Sequence, residues 1–173
     1  MIDINELRRR LSYDPATGVL KWLDPISNAV KPGSVAGNYT KPYVHIKING
    51  RLYGAHRVAW AIHHGEWPRM MVDHIDGDPH NNRASNLRLA TRSQNNWNSS
   101  TRKDNKTGFK GVSIRGNGKY RAKIAAHGKV YSLGDFESPE DAHEVYELAS
   151  HLLHGDFARP GAKLSQGYRL SIK

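Results

Sequence analysis

Residues 72–100, VDHIDGDPHNNRASNLRLATRSQNNWNSS, concentrate side chains that can hold a cation or move a proton. Cleaving a phosphodiester needs an activated water, a positive charge against the phosphate, and help for the departing oxygen. Asp73 offers a charged oxygen and Asn95 a neutral one, a pair that suits Mg²⁺ or Mn²⁺ completed by water and phosphate oxygens. The imidazole of His74 suits a general base, because a histidine titrates near neutrality. Neighbours on an extended strand point to opposite sides, so His74 is not expected to join Asp73 as a second ligand unless the chain bends. Two other readings share the same residues. DGDPHNN has the composition of a turn built on Asx caps. A calcium loop is weakened by the missing late glutamate.

Those groups need a scaffold. Residues 72–75 read as a short strand, the polar run after them as a tight loop, and 87–90 as a second strand. Thr91 precedes Gln94 by three, a capping box that starts a helix through Asn95 and brings Asn95 within reach of Asp73. Upstream, 2–11 reads as a short helix, SYDPATG as turns and VLKW as a strand. Residues 24–42 hold three prolines and two glycines and read as a loop that wraps rather than packs. Alternation over 43–48 ending in Asn49-Gly50 predicts a hairpin, with His45 and Lys47 on its polar face toward solvent rather than phosphate. In AHRVAWAIHHGEWP, Ala55, Val58, Ala59 and Ile62 follow helical spacing and Gly65 offers a cap. His56, His63 and His64 form no recognisable ligand set and read as a basic rim; Arg57 is placed to hold a phosphate oxygen.

SSTRKDNKTG, residues 99–108, reads as a linker. After it come three short strands separated by GNG and HG turns, then a helix. Ser138 caps that helix, Pro139 occupies its first position and Asp141 completes a capping box; Ala142, Val145, Tyr146, Ala149, Leu152 and Leu153 form its apolar face and Gly155 ends it. The tail at 160–173 receives no role. Lysine and arginine number 26 against 16 acidic residues, for a formal charge of +10, which suits a polyanionic partner. Residues 92–133 alone hold ten basic side chains and one acid, Asp104. No run approaches the roughly 18 apolar residues of a membrane span and no secretion signal is visible, so a cytoplasmic protein is expected. The absence of cysteine excludes disulfides and thiolate zinc sites, leaving any metal to Asp, Glu, Asn or His.

The motifs GAHRVAWAIHHGEWP and VDHIDGDPHNNRASNLRLATRSQNNWN resemble the HNH endonucleases of phage and intron-encoded homing type. That resemblance, over roughly 43–98, implies a ββα-metal unit. His74 looks like the general base, and Asn86, twelve residues on, like the asparagine that holds the loop and orients it; Asp73 and Asn95 look like the ligands of Mg²⁺, with Mn²⁺ able to substitute and no structural zinc. TGFKGVSIRGNGKYRAKIAAHGKVYSLGDF and the helix after it resemble an AP2 DNA-binding domain, whose sheet enters the major groove. Lys110, Arg115, Arg121, Lys123 and Tyr131 are its DNA-contact candidates beside Arg57. The expected fold is α+β, in five parts: an N-terminal region at 1–42, the nuclease domain at 43–98, the linker at 99–108, the AP2-like domain at 109–159 and the tail. The expected activity is metal-dependent cleavage of double-stranded DNA to 5′-phosphate and 3′-hydroxyl ends, by a monomer or dimer in a phage or bacterial setting. The rivals are a DNA-binding protein that does not cut and a basic RNA-binding or structural module.

Overall fold

Asp3 opens the first helix by accepting the N–H groups of Asn5 (2.9 Å) and Glu6 (3.3 Å), two of the donors that every helix start leaves unpaired. In this computed structural model, residues 2–27, 29–40 and 42–159 are described; the tail at 160–173 lies outside them. The chain divides into two units, Met1–Asn96 and Trp97–Lys173.

In the first unit, helix α1 (Ile4–Arg10) runs directly into β1 (Leu11–Tyr13), which pairs antiparallel with β2 (Leu20–Trp22). A three-stranded antiparallel sheet follows: β3 (Asn38–Thr40), β4 (Tyr43–Ile48) and β5 (Arg51–Gly54), with β4 central. The β4–β5 turn is Asn49-Gly50, both at positive φ (49° and 78°), as a two-residue hairpin turn requires. Helix α2 (Ala55–His64) ends at Gly65 in the left-handed conformation. Strands β6 (Met71–His74) and β7 (Leu87–Ala90) pair antiparallel, and helix α3 (Arg92–Trp97) follows. The capping box at its start forms: Gln94 N–H donates to Thr91 Oγ1 (3.2 Å) and Thr91 N–H to Gln94 Oε1 (2.8 Å).

One core serves this whole unit. Leu7, Leu11, Leu20, Trp22 and Ala36 are buried together with Ile46, Ile48, Val58, Val72 and Leu87. Fully burying one such leucine stabilises the fold by roughly 2 kcal/mol, so the first 42 residues are structural to the unit rather than appended to it. The expectation that 24–42 wraps without packing is corrected. Trp22 N–H donates to Ser34 O (2.9 Å), Ala36 N–H donates to Leu20 O (2.8 Å), and Val30 packs on the core. Backbone groups this close to a core need partners, and the edge of β2 supplies them.

The second unit has its own sheet, β8 (Val112–Ile114), β9 (Tyr120–Ala126) and β10 (Lys129–Phe136), with β9 central, and helix α4 (Pro139–His154). Ser138 Oγ accepts Asp141 N–H (3.1 Å) at the helix start. The buried row of α4 is Ala142, Tyr146, Ser150 and His154, an i, i+4 stripe, while Leu152 is 85% exposed. The expected apolar face is thereby corrected: two polar residues are buried because they have partners. His154 Nε2 bonds Ala125 O (3.0 Å), its Nδ1 lies 3.2 Å from Ser150 Oγ, and its ring stacks on Trp97 (centroids 4.3 Å). The stretch read as a linker is folded into this unit. Asn105 Oδ1 accepts the N–H groups of Thr107 (2.8 Å) and Gly108 (3.0 Å), and Asn105 Nδ2 donates to Phe109 O (2.9 Å). Among the described residues, no helix is long and apolar enough to cross a membrane.

Candidate active site

The two-stranded ladder of β6 and β7 fixes the centre. Its register pairs Asp73 with Arg88 and His74 with Leu87. Asp73 and His74 are both buried, and their side chains meet different neighbours, as alternation along a strand dictates. Arg88 places Nε (3.0 Å) and Nη2 (2.9 Å) on Asp73 Oδ2, so the buried carboxylate is charge-paired. His74 instead enters an aromatic group. Its ring centroid lies 5.3 Å from that of His56 and 6.4 Å from that of Tyr43, with Tyr43 and His56 themselves 5.3 Å apart.

Residues 75–86 form a loop wired through its own side chains. Asn86 is the hub: Ile75 N–H donates to its carbonyl (2.9 Å), Asp76 N–H to its Oδ1 (3.0 Å), and its Nδ2 to Asp76 Oδ1 (2.9 Å) and Asn81 O (2.7 Å). Asp76 and Asp78 form Asx turns through Asp78 N–H (2.8 Å) and His80 N–H (2.9 Å). Partial burial works against charge on Asp76, but donors from Asp78, Asn81 and Asn86 outweigh it and hold the carboxyl below its ordinary range. The Asx-turn reading therefore describes Asp76 and Asp78, while Asp73 belongs to the strand.

The imidazole of His74 touches a different asparagine. Nε2 lies 3.1 Å from Asn82 Oδ1, while Asn86 organises the loop that follows the histidine. Asn82 is held in turn by the N-terminal hairpin, where Tyr13 Oη donates to its carbonyl at 2.7 Å. Burial, and then the charge of Asp14, push the Tyr13 phenol up to about 12, which keeps it a donor. His56 is pushed down to about 4, first by burial and then by His74, Arg57 and His45.

The remaining expected positions divide. Asn95 lies on α3, half-buried, with its N–H on Thr91 O (3.0 Å). Arg57 donates to the carbonyls of Pro68 (3.0 Å) and Met70 (3.1 Å), pinning the approach to β6. His63 and His64 pack in ring contacts with Tyr13 and Trp60, and among the described residues no group of three His, Cys, Asp or Glu side chains is arranged to hold a metal.

In the second unit, Lys123 is exposed on the sheet face opposite Ala122 and Ile124, and Arg115 is exposed at the β8–β9 turn. Arg121 shares that face but donates through Nε and Nη2 to its cross-strand partner Asp135 (2.5 and 2.6 Å). Tyr131 pairs with Ile124, so the register puts it on the face opposite Lys123, where it remains 40% exposed. Lys110 turns inward, its ammonium on the carbonyls of Trp97 and Ser99, and burial followed by Arg159 lowers it to about 8. Sequence reasoning placed His56 on a basic rim rather than beside His74, and missed Asn82, Arg88 and Tyr13. Of these only Arg88 carried a signal, as the polar residue in LRLA that must face one member of the preceding strand.

The family model for HNH endonuclease matches residues 53–97, from the end of β5 through α2, β6 and β7 to the end of α3. The chain is 36% identical over 106 residues to Protein 3.8 of Escherichia phage T7, covering 60% of this chain and 87% of that protein. It is 39% identical over 89 residues to an uncharacterized HNH endonuclease of Acanthamoeba polyphaga mimivirus, covering 51% of this chain and 46% of that one. No solved structure gives a significant match. The strand–loop–strand–helix unit that carries Asp73 and His74 lies within the matched residues, so the chain carries an HNH endonuclease domain.

Proposed function

We propose that this protein hydrolyses phosphodiester bonds in double-stranded DNA, with His74 as general base. The observation that carries the reading is the buried Asp73–His74 pair on β6, braced by Arg88 and by the Asn86-wired loop, inside the family-matched segment. A merely structural strand would gain nothing from burying a carboxylate and an imidazole side by side, since each costs desolvation that must be offset.

The donor chemistry fits a hard divalent ion. Asp73 brings a carboxylate and Asn95 an amide oxygen, so these two would hold Mg²⁺, or Mn²⁺ in its place, with water and phosphate completing the shell. When bound, such an ion supplies positive charge to the phosphate and the departing oxygen. His74 accepts a proton from the attacking water; the new bond forms at phosphorus, the bond to the 3′ oxygen breaks with its electrons on that oxygen, and the oxygen takes a proton from solvent, leaving 5′-phosphate and 3′-hydroxyl ends. Arg88 holds Asp73 in its strand position, and Asn86 keeps the loop from collapsing onto it. One centre cuts one strand, so a double-strand break needs a second visit or a dimer.

In the second unit the sheet-and-helix order and the basic composition support an AP2-like role in gripping DNA. Lys123, Arg115 and Tyr131 are its exposed contact candidates, and affinity falls as salt rises. Plasmid relaxation with and without Mg²⁺ tests the whole reading. Metal-dependent nicking is expected from the intact protein and is lost in His74→Ala, whose DNA affinity stays within roughly threefold because a base contributes to the transition state more than to binding. Equal nicking by wild type and variant would remove His74 from the chemistry, and binding without any cutting would favour a protein that only recognises DNA.

A further inference from the structure

The side chain that meets the His74 ring is itself built into the N-terminal hairpin. Asn82 is 6% exposed, and its Oδ1 faces Nε2 at 3.1 Å. An amide oxygen only accepts, so this contact selects the tautomer with the proton on Nε2 and the lone pair on Nδ1. The backbone around Asn82 is clamped from four directions. Tyr13 Oη donates to its carbonyl (2.7 Å), its own N–H donates to His80 O (3.0 Å), and Ala84 N–H donates to Pro15 O (3.0 Å). Gly18 approaches so closely that a Cβ there would stand 2.6 Å from the carbonyl carbon of Asn82 and 2.5 Å from the nitrogen of Arg83. An isolated turn does not need four constraints; a side chain that must hold an imidazole at one angle does.

We infer that Asn82 is a positioning residue for the hydrolysis, fixing the tautomer and ring angle of His74, and that the β1–β2 hairpin serves the centre by holding Asn82 in place. The inference rests on the general-base reading of His74. A neutral acceptor orients the ring without adding negative charge where an anionic phosphate must approach.

The test uses the full chain labelled with ¹⁵N-histidine, and long-range ¹H–¹⁵N spectra in which His74 is recognised by its absence in His74→Ala. The proton is expected on Nε2 in the wild type and distributed over both nitrogens in Asn82→Ala. Plasmid nicking with Mg²⁺ is measured alongside. Asn82→Ala should lower turnover at saturating plasmid by roughly 10- to 100-fold, the usual loss on removing an outer partner of a functional histidine, with the half-saturating concentration little changed. Asn82→Asp keeps the acceptor and should restore the Nε2 proton, but only part of the turnover, because it adds the negative charge that the amide avoids. Tyr13→Phe leaves the Asn82 side chain in place and should cost less than Asn82→Ala; it decides the question should Asn82→Ala not fold. A proton on Nδ1 in the wild type, or a folded Asn82→Ala that turns over normally, overturns the inference. A wild type that never nicks but shows the Nε2 proton overturns the nuclease reading and the positioning role with it, leaving a hydrogen bond of purely structural meaning.

Discussion

Replacing Gly18 by alanine should loosen the first unit from the active-site side, and the structure sets the size of the effect. Gly18 has φ +78°, and its missing Cβ would stand 2.5 Å from Arg83 N and 2.6 Å from Asn82 C. Both neighbours are backbone, so no side chain can swing aside. Restoring an ordinary contact of 3.4 Å requires the two segments to part by about 0.9 Å. That separation stretches the Tyr13–Asn82 bond (2.7 Å) and the Ala84–Pro15 bond (3.0 Å) beyond useful length. Left-handed backbone with a Cβ costs about 1 kcal/mol, and the two hydrogen bonds about 1 kcal/mol each, so the substitution should destabilise by roughly 3 kcal/mol. Gly33 provides the control. Its φ is +83° and nothing lies within 4 Å of its Cβ position, so Gly33→Ala should lose only the backbone part, about 1 kcal/mol. Urea unfolding followed by tryptophan fluorescence reports on the right unit, because Trp22, Trp60 and Trp67 lie in it and only Trp97 lies in the other. The Gly18 and Tyr13→Phe changes share one partner and should be less than additive. Equal losses for Gly18→Ala and Gly33→Ala, or full additivity with Tyr13→Phe, would refute the close approach as the cause.

Arg88→Met should destabilise the first unit by about 3 kcal/mol, since it leaves the buried Asp73 carboxylate without its guanidinium; a loss below about 1 kcal/mol in the same unfolding assay would show that the pair is not what holds Asp73. Stability should also depend on pH through His56. Its folded pKa of about 4 lies below the ordinary 6.5, so the unfolded chain binds the proton first, and stability present above pH 6.5 is lost as pH falls toward 4. The loss amounts to at most about 3 kcal/mol, and His56→Phe should flatten that part of the profile; an unchanged profile would place the acid sensitivity elsewhere. On the outer sheet face of the second unit, Asp135→Asn should release Arg121 and steepen the salt dependence of DNA binding by about one ion, whereas an unchanged slope would argue that this face does not meet the duplex.

Much of the local structure was legible because it is dictated over a few residues. Asn49-Gly50 after alternating residues can only be a tight hairpin turn, and Thr91 with Gln94 closes a capping box within one helical turn. The alternation in β9 likewise put Arg121 and Lys123 opposite Ala122 and Ile124. Lys110 and Tyr131 are AP2-contact candidates by composition and resemblance alone. Composition could not reveal that Lys110 folds back on carbonyls of its own unit, or that register pairs Tyr131 with Ile124 on the face opposite Lys123. Charge counted along a window also stopped short of Asp135, which neutralises Arg121 from the neighbouring strand.

The sequence by itself determined the chemistry of the centre: which strand carries Asp73 and His74, that Asn86 closes the loop behind them, and which family the segment resembles. Tertiary structure alone decided who touches them. Arg88 meets Asp73 through strand register, Asn82 meets His74 across a loop, and Tyr13 reaches Asn82 from 69 positions away. Motifs are written in spacing along the chain, and short spacing fixes backbone shape. Contacts between distant segments are selected by the shared core of Leu7, Leu11, Ile46, Ile48 and Val58, whose burial brings the N-terminal hairpin against the loop. That packing leaves no local mark in the sequence of either segment.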